Sequence, residues 1–139
     1  MLVLIDTNIL IDLLAKREPF FADSLKIFEL CQQEIVDGAI AAHSVVNMAY
    51  ILRKDFTLDE LRKILLRLCK LFQIESINLD KLIAAINDHN FSDFEDCLQT
   101  QCALNICANY IITRNVKDFA ASEIPAITPK DFFNILEGR

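Results

Sequence analysis

The sequence predicts an α/β fold, a three-layer α/β/α sandwich built around a short parallel sheet. Short apolar runs alternate with segments of helical periodicity, the pattern of strand–helix–strand units with helices on both faces of the sheet. With 53% hydrophobic and 24% charged residues, the chain can bury a sizeable core and does not have the composition of a disordered protein. Only 2 Gly and 3 Pro argue against a turn-rich sandwich or barrel of strands alone. No repeat, low-complexity tract or linker interrupts the sequence, so one domain is expected over residues 1–139.

The elements follow in order. Leu2–Ile5 is wholly apolar, as in a strand covered on both faces. Thr7 to Arg17 carries Ile9, Leu10, Leu13 and Leu14 at helical spacing, and Pro19 is placed to open a second helix. Ala22, Leu25, Phe28 and Leu30 mark the expected buried side of that helix. Gly38 ends a turn before a strand at Ala39–Ala42, and Ser44–Arg53 reads as a helix. Thr57–Phe72 is a helix opened by a Thr57/Glu60 capping box, with Leu58, Leu61, Leu65, Leu68 and Phe72 as its apolar stripe. Gln73–Ile77 is a strand and Asp80–Ile86 a short helix. Ser92–Asn109 is a helix for which Ser92 and Glu95 form a second capping box. Tyr110–Thr113 and Ala126–Ile127 are strands, and Pro129–Leu136 closes the chain as a helix.

Five cysteines, with no Cys-x-x-Cys pair, read as reduced thiols in a cytoplasmic protein. With His43 and His89 the only histidines, a zinc site is not expected. Met1–Ile5 is too short for a signal sequence, and the uncharged run Cys97–Thr113 is too short to span a bilayer, so no membrane is expected.

In parallel sheets, ligands bind beyond the carboxyl ends of the strands. Asp6, Thr7 and Asn8 follow the first strand, and Thr113, Arg114, Asn115 and Asp118 follow the Tyr110 strand. Asp93, Glu95 and Asp96 open the helix between them. Helix capping accounts for Asp6, Thr7, Asp93 and Glu95 equally well. Asp96 is harder to assign to capping, because the cap of that helix is already supplied. Converging carboxylates call for a cation, and oxygen ligands without Cys or His select Mg²⁺ or Mn²⁺. Such an ion suits phosphodiester hydrolysis.

Three segments carry a resemblance: Leu4-Ile5-Asp6-Thr7-Asn8-Ile9-Leu10, Glu95-Asp96-Cys97-Leu98-Gln99, and Ile111-Ile112-Thr113-Arg114-Asn115-Val116-Lys117-Asp118-Phe119. In order and spacing they resemble the PIN-domain family, and within it the small single-domain toxins of the VapC type. The resemblance implies a sheet of order 3-2-1-4-5 and an Mg²⁺- or Mn²⁺-dependent endoribonuclease that cleaves single-stranded RNA. It further implies that Asp6 and Asp96 are metal ligands, with Asp118 binding a second metal or a water of the first. Asp93 is an extra acid for the same shell. Asn8 would orient Asp6, while Asn115 and Arg114 would support the metal shell or contact phosphate. The family usually places a Glu in the helix after the second strand, where this chain has Asn47.

The net charge, 14 − 20 = −6, excludes binding nucleic acid by bulk charge. A local RNA track is therefore expected at Lys63, Arg67 and Lys70, with Arg62, Arg53 and Lys54 nearby; a solvated helix face is the plainer account of the same residues. The resemblance also implies an antitoxin partner, for which Leu13, Leu14, Phe20 and Phe21 would line a groove, and a homodimer. Two rivals stay open. An aspartyl phosphotransferase or receiver would use Asp6 as acceptor, but this chain has Asn8 where the phosphatase pattern wants a second Asp, and no Lys directly follows a late strand. A degenerate PIN domain acting as a non-catalytic RNA- or protein-binding module would explain Asn47.

Overall fold

The computed structural model describes residues 1–138. In chain order the elements are β1 (Leu2–Ile5), α1 (Thr7–Leu14), α2 (Phe21–Gln32), β2 (Asp37–Ala41), α3 (Ala42–Leu52), α4 (Leu58–Leu71), β3 (Gln73–Glu75), α5 (Leu79–Asn87) and α6 (Phe94–Asn105). They continue with β4 (Tyr110–Ile112), a 3₁₀ turn at Val116–Phe119, β5 (Ala126–Ile127) and α7 (Pro129–Glu137). All neighbouring strands pair in parallel, in the order β3-β2-β1-β4-β5. The fold class and the sheet order are those expected. Among the described residues, no helix is long and apolar enough to cross a membrane.

Strand alternation divides the core into two faces. Val3, Ile5, Ile40 and Ile112 meet residues of α1 to α4 and α7, including Leu10, Ile27, Met48, Leu61, Leu68 and Phe132. Leu4, Ala39, Ala41 and Ile111 face the other way, toward Cys102 and Ala103 of α6 and Phe119. The second face is lined by small side chains on both elements, which lets α6 lie close to the sheet.

Several element ends differ from expectation, and two share one cause, which also ends α2. The helix expected to reach Arg17 stops at Leu14, and the one expected to reach Asn109 stops at Asn105. Each of α1, α2 and α6 ends in a Schellman turn whose left-handed residue is not glycine: Lys16 (φ 50°), Glu34 (φ 58°) and Cys107 (φ 53°). The paired bonds are Arg17 N to Asp12 O and Lys16 N to Leu13 O, Ile35 N to Leu30 O and Glu34 N to Cys31 O, and Ala108 N to Ala103 O and Cys107 N to Leu104 O. A stop signal without glycine is invisible in composition.

Other corrections are local. Pro19 lies in the turn before α2, which starts at Phe21 and buries Ser24, Ile27 and Cys31, while Ala22 is exposed. The Thr57/Glu60 capping box is present, but Leu58 is left exposed and Leu61 and Leu68 carry the burial. The cap of α6 is Asp93, not Ser92; its Oδ1 accepts from the backbone N–H of Glu95 (2.8 Å) and Asp96 (3.1 Å). Cys69 and Cys107 are exposed, Cys31, Cys97 and Cys102 buried, and all five are free.

Gly38 sits inside β2, not in the turn before it. A Cβ there would stand 2.6 Å from the buried Phe72 ring and 2.9 Å from Cys31 Sγ. Overpacking at such a site typically costs about 1–3 kcal/mol. Gly38→Ala is therefore expected to lower the unfolding free energy by that order in urea titrations. Glu34→Gly should act oppositely, raising it by about 1 kcal/mol, because a left-handed residue with a Cβ carries a penalty of that order.

Candidate metal centre

The strand order reverses at β1, with β2 on one side and β4 on the other. The crevice beyond the carboxyl ends of β1 and β4 is thus the expected ligand position. Asp6 is the first residue after β1, and its backbone N–H donates to Ile112 O at 3.0 Å, extending the ladder with β4 by one bond. Thr113 is the first residue after β4. Both are buried.

The Asp6 carboxylate is held at both oxygens. Gln99 Nε2 of α6 donates to Oδ1 at 2.7 Å, and Thr113 Oγ1 donates to Oδ2 at 2.7 Å. Asn115 N–H in turn donates to Thr113 Oγ1 at 3.0 Å. Gln99 Nε2 also reaches Glu95 Oε1 (3.0 Å) and Oε2 (3.1 Å), and His43 Nε2 donates to Glu95 Oε1 at 2.9 Å. Thr7 Oγ1 donates to Ser44 Oγ at 2.7 Å, tying α1 to α3. Gln99 and His43 are the members of this network to which sequence reasoning gave no place in the site, whereas Glu95 and Thr113 stood among the polar residues at the helix start and strand end. Gln99 became identifiable only from its burial, since a buried amide demands a partner and its helix carries other polar side chains such as Thr100 and Gln101.

A cavity of about 390 Å³ opens over this network. It is lined by Asp6, Thr7, Asn8, Ile11, Arg17, Asn47, Ile51, Asp93, Glu95, Asp96, Asn115 and Asp118. The acids from the three sequence segments thus meet in one place, with Asn8, Asn47 and Asn115 among them. Carboxylate oxygens of Asp93, Glu95 and Asp96 lie within 4.8 Å of one another.

Other expected site residues are elsewhere. Arg114 turns to α1, where Nε donates to Asp12 Oδ2 at 2.7 Å and Nη2 to Oδ1 at 3.3 Å, and it lies over the Phe20 ring. Asp12 is fully buried, so this pair bolts α1 to the loop after β4. Lys63, Arg67 and Lys70 are exposed on α4 and do not line the cavity; Lys70 borders a separate recess with Leu2, Asp37 and Gln73 at the amino ends of the strands. The cation that lines the cavity is Arg17. Of the expected groove residues, Leu14 packs on the core, Leu13 and Phe21 are half-buried, and Phe20 is exposed.

The electrostatics fit a hard divalent cation. Burial pushes the Asp6 carboxyl above its usual range, more than the bonds from Gln99 and Thr113 pull it down. Burial also works to raise Glu95, but the hydrogen bond and charge of His43 and the Gln99 bond hold it below the usual range. Asp96 is pushed up to about 8, first by burial and then by the charges of Asp93, Glu95 and Asp6. The ligand atoms on offer are carboxylate and amide oxygens, with no thiol or imidazole in the lining. Asn8 Oδ1 is buried there without a donor among the described residues. The acids that could hold such an ion are those of the lining, Asp6, Asp93, Glu95, Asp96 and Asp118, of which Asp93, Glu95 and Asp96 stand nearest one another.

A carboxyl raised from 3.8 to about 8 in the folded state binds its proton more tightly there than in the unfolded chain. Stability is therefore lost as pH rises through that interval, and Asp6 acts in the same direction. Chelator-treated wild type should lose thermal stability between about pH 5 and 8 more steeply than Asp96→Asn, which removes the Asp96 contribution. Parallel melting curves for the two proteins would contradict this placement.

The profile of the PIN-domain family matches residues 2–117. No curated protein matches the chain. Among solved structures, a toxin–antitoxin complex from Klebsiella pneumoniae superposes with a TM-score of 0.69 at 24% identity, covering 91% of this chain and 97% of that one. The VapBC2 structure from Rickettsia felis, bound to a DNA fragment from its promoter, gives 0.67 at 15% identity over 92% and 98%. VapC20 of Mycobacterium tuberculosis, described as a Sarcin-Ricin loop cleaving toxin, gives 0.62 at 12% identity over 78% and 86%. These three share the fold. With a family match over most of its length, the parallel sheet in the order 3-2-1-4-5 and the acids gathered at the β1/β4 switch, the chain belongs to the PIN-domain family.

Proposed function

We propose that the chain is a divalent-metal-dependent endoribonuclease acting on single-stranded RNA, and the toxin of a toxin–antitoxin pair. The convergence of Asp6, Asp93, Glu95, Asp96 and Asp118 on one open cavity carries this reading. The toxin–antitoxin assemblies among its structural relatives support the second half, including an antitoxin partner, with a homodimer as the assembly that would be tested beside it. The reading places the protein in the cytoplasm and treats residues 1–139 as one domain.

Asp6 and Asp96 would hold Mg²⁺ or Mn²⁺, with Asp118 and Asp93 completing its surroundings. When bound, the ion supplies Lewis acidity at the phosphodiester and lowers the proton affinity of the attacking water. The chain's own residues do the rest. Gln99 and Thr113 fix the plane of the Asp6 carboxylate. Burial and the neighbouring acids favour the protonated form of Asp96, so a cation bound there would compete with that proton. Arg17 presents a positive charge to a backbone phosphate at the cavity wall, and exposed Asn115 and Asp118 meet the substrate at its rim. Asn8, expected to orient Asp6, makes no bond to it; its buried Oδ1 is a further oxygen facing the cavity.

One observation favours a second reading. Asn47 lines the cavity where a family member usually has Glu, and a neutral amide binds a cation less tightly. Glu95, present in the same cavity, restores one negative charge. The non-catalytic alternative is an RNA- or protein-binding module on the same fold.

Mn²⁺ at millimolar concentration should raise the melting temperature of the wild type, and Asp6→Asn should abolish the rise. Labelled single-stranded RNA should be cut by wild type with Mn²⁺. Changes beside a metal's ligands typically cost about 10–100-fold, and loss of the ligand Asp6 should reduce cutting by at least that much. A metal shift without cutting would favour the binding module. Equal cutting by wild type and Asp6→Asn would show that the nuclease is a contaminant.

A further inference from the structure

We propose that Gln99 is a positioning residue of the metal centre: its single amide nitrogen clamps the Asp6 and Glu95 carboxylates into one geometry, and the cation affinity of the site depends on that clamp. The inference rests on the metal reading above. Gln99 is fully buried in α6, a position that composition would fill with an apolar side chain. An amide nitrogen has two hydrogens, and here three carboxylate oxygens from two residues lie around it, at 2.7, 3.0 and 3.1 Å. One hydrogen serves Asp6 and the other is shared by the two oxygens of Glu95.

The two acids repel each other, and this nitrogen is the donor they have in common. At its far end the same side chain leaves Oε1 buried with no partner among the described residues. A glutamine kept for fold stability alone would be expected to satisfy both ends, because an unpaired buried acceptor is costly. The arrangement favours the nitrogen at the expense of the oxygen, which places the value of Gln99 at the acids.

With Thr113 on Oδ2, the clamp grips Asp6 at both oxygens, so the carboxylate cannot turn about its own axis. Each ionised oxygen has about two lone-pair directions, so one on each is left after these bonds. Glu95 is fixed from the other side by His43 and directly precedes Asp96 in the helix. One side chain thus ties the Asp6 carboxylate directly to the first turn of α6.

The test is Mn²⁺ binding to chelator-treated protein, read by electron paramagnetic resonance of the free ion and by the metal-induced melting shift, independently of RNA cleavage. Gln99→Met fills the same space without a donor, and is expected to stay folded by far-ultraviolet circular dichroism while its Mn²⁺ Kd rises about 10–100-fold, the usual effect of removing a partner of a metal ligand. Gln99→Asn keeps an amide but is one methylene too short to span both acids, so its Kd should rise as well; it carries the test if the methionine variant does not fold. A folded variant whose Kd equals that of the wild type overturns the proposal, even if its metal-free melting temperature falls. Wild type that binds no Mn²⁺ overturns both this proposal and the metal reading, whereas metal binding unchanged by either substitution overturns this one alone.

Discussion

The constraint on which the rest of the structure depends is a carboxylate buried at the end of the central strand. Asp6 follows β1, between β2 and β4, where only 5% of its surface is open to water. A buried charge of this kind is tolerated only where the protein provides donors. Thr113 does so from the next strand and Gln99 from α6. Both solutions require close neighbours. The first follows from the β1–β4 ladder, which brings Ile5 beside Ile112 and so Asp6 beside Thr113. The second requires α6 to lie against the sheet, and the small side chains at Ala39, Ala41, Cys102 and Ala103 permit that approach.

The same approach delivers the other acids. Once α6 is seated, its first turn carries Asp93, Glu95 and Asp96 to the rim of the crevice that Asp6 floors. The helix start is then electrostatically crowded. Asp93 uses one oxygen on the backbone N–H groups, and Glu95 is drawn to His43 and Gln99. Asp96 has no such donor among the described residues, and burial with the neighbouring acids pushes its carboxyl up to about 8. The net charge of −6 therefore says little about substrate class, because part of the excess is gathered in one cavity where a cation would reverse its sign.

Much of this was legible in the sequence, and the failures are instructive. Apolar runs and helical periods located every element, since burial patterns are local in sequence. The ends of α1 and α6 were not legible, because Lys16 and Cys107 take a left-handed conformation that normally advertises itself as glycine. Arg114 read as a phosphate contact from its place after β4, yet the buried Asp12 claims it. Asp12 itself was a missed signal, since an acid at a buried position of an apolar helix needs a countercharge. Lys63, Arg67 and Lys70 do share a helix face, but which surface that face adjoins is a property of the packing.

By itself the sequence determined the fold class and the three segments that bear the acids, because periodicity and strand-end position depend on near neighbours along the chain; the family followed from the resemblance those segments carry. Only the tertiary structure decided which donors hold those acids: Gln99 is 93 residues from Asp6, Thr113 is 107 away, and His43 is 52 from Glu95. Hydrogen bonds act over about 3 Å and carry no trace in sequence spacing. Their pairing is set when the sheet closes in the order 3-2-1-4-5 and α6 settles on its small-residue face.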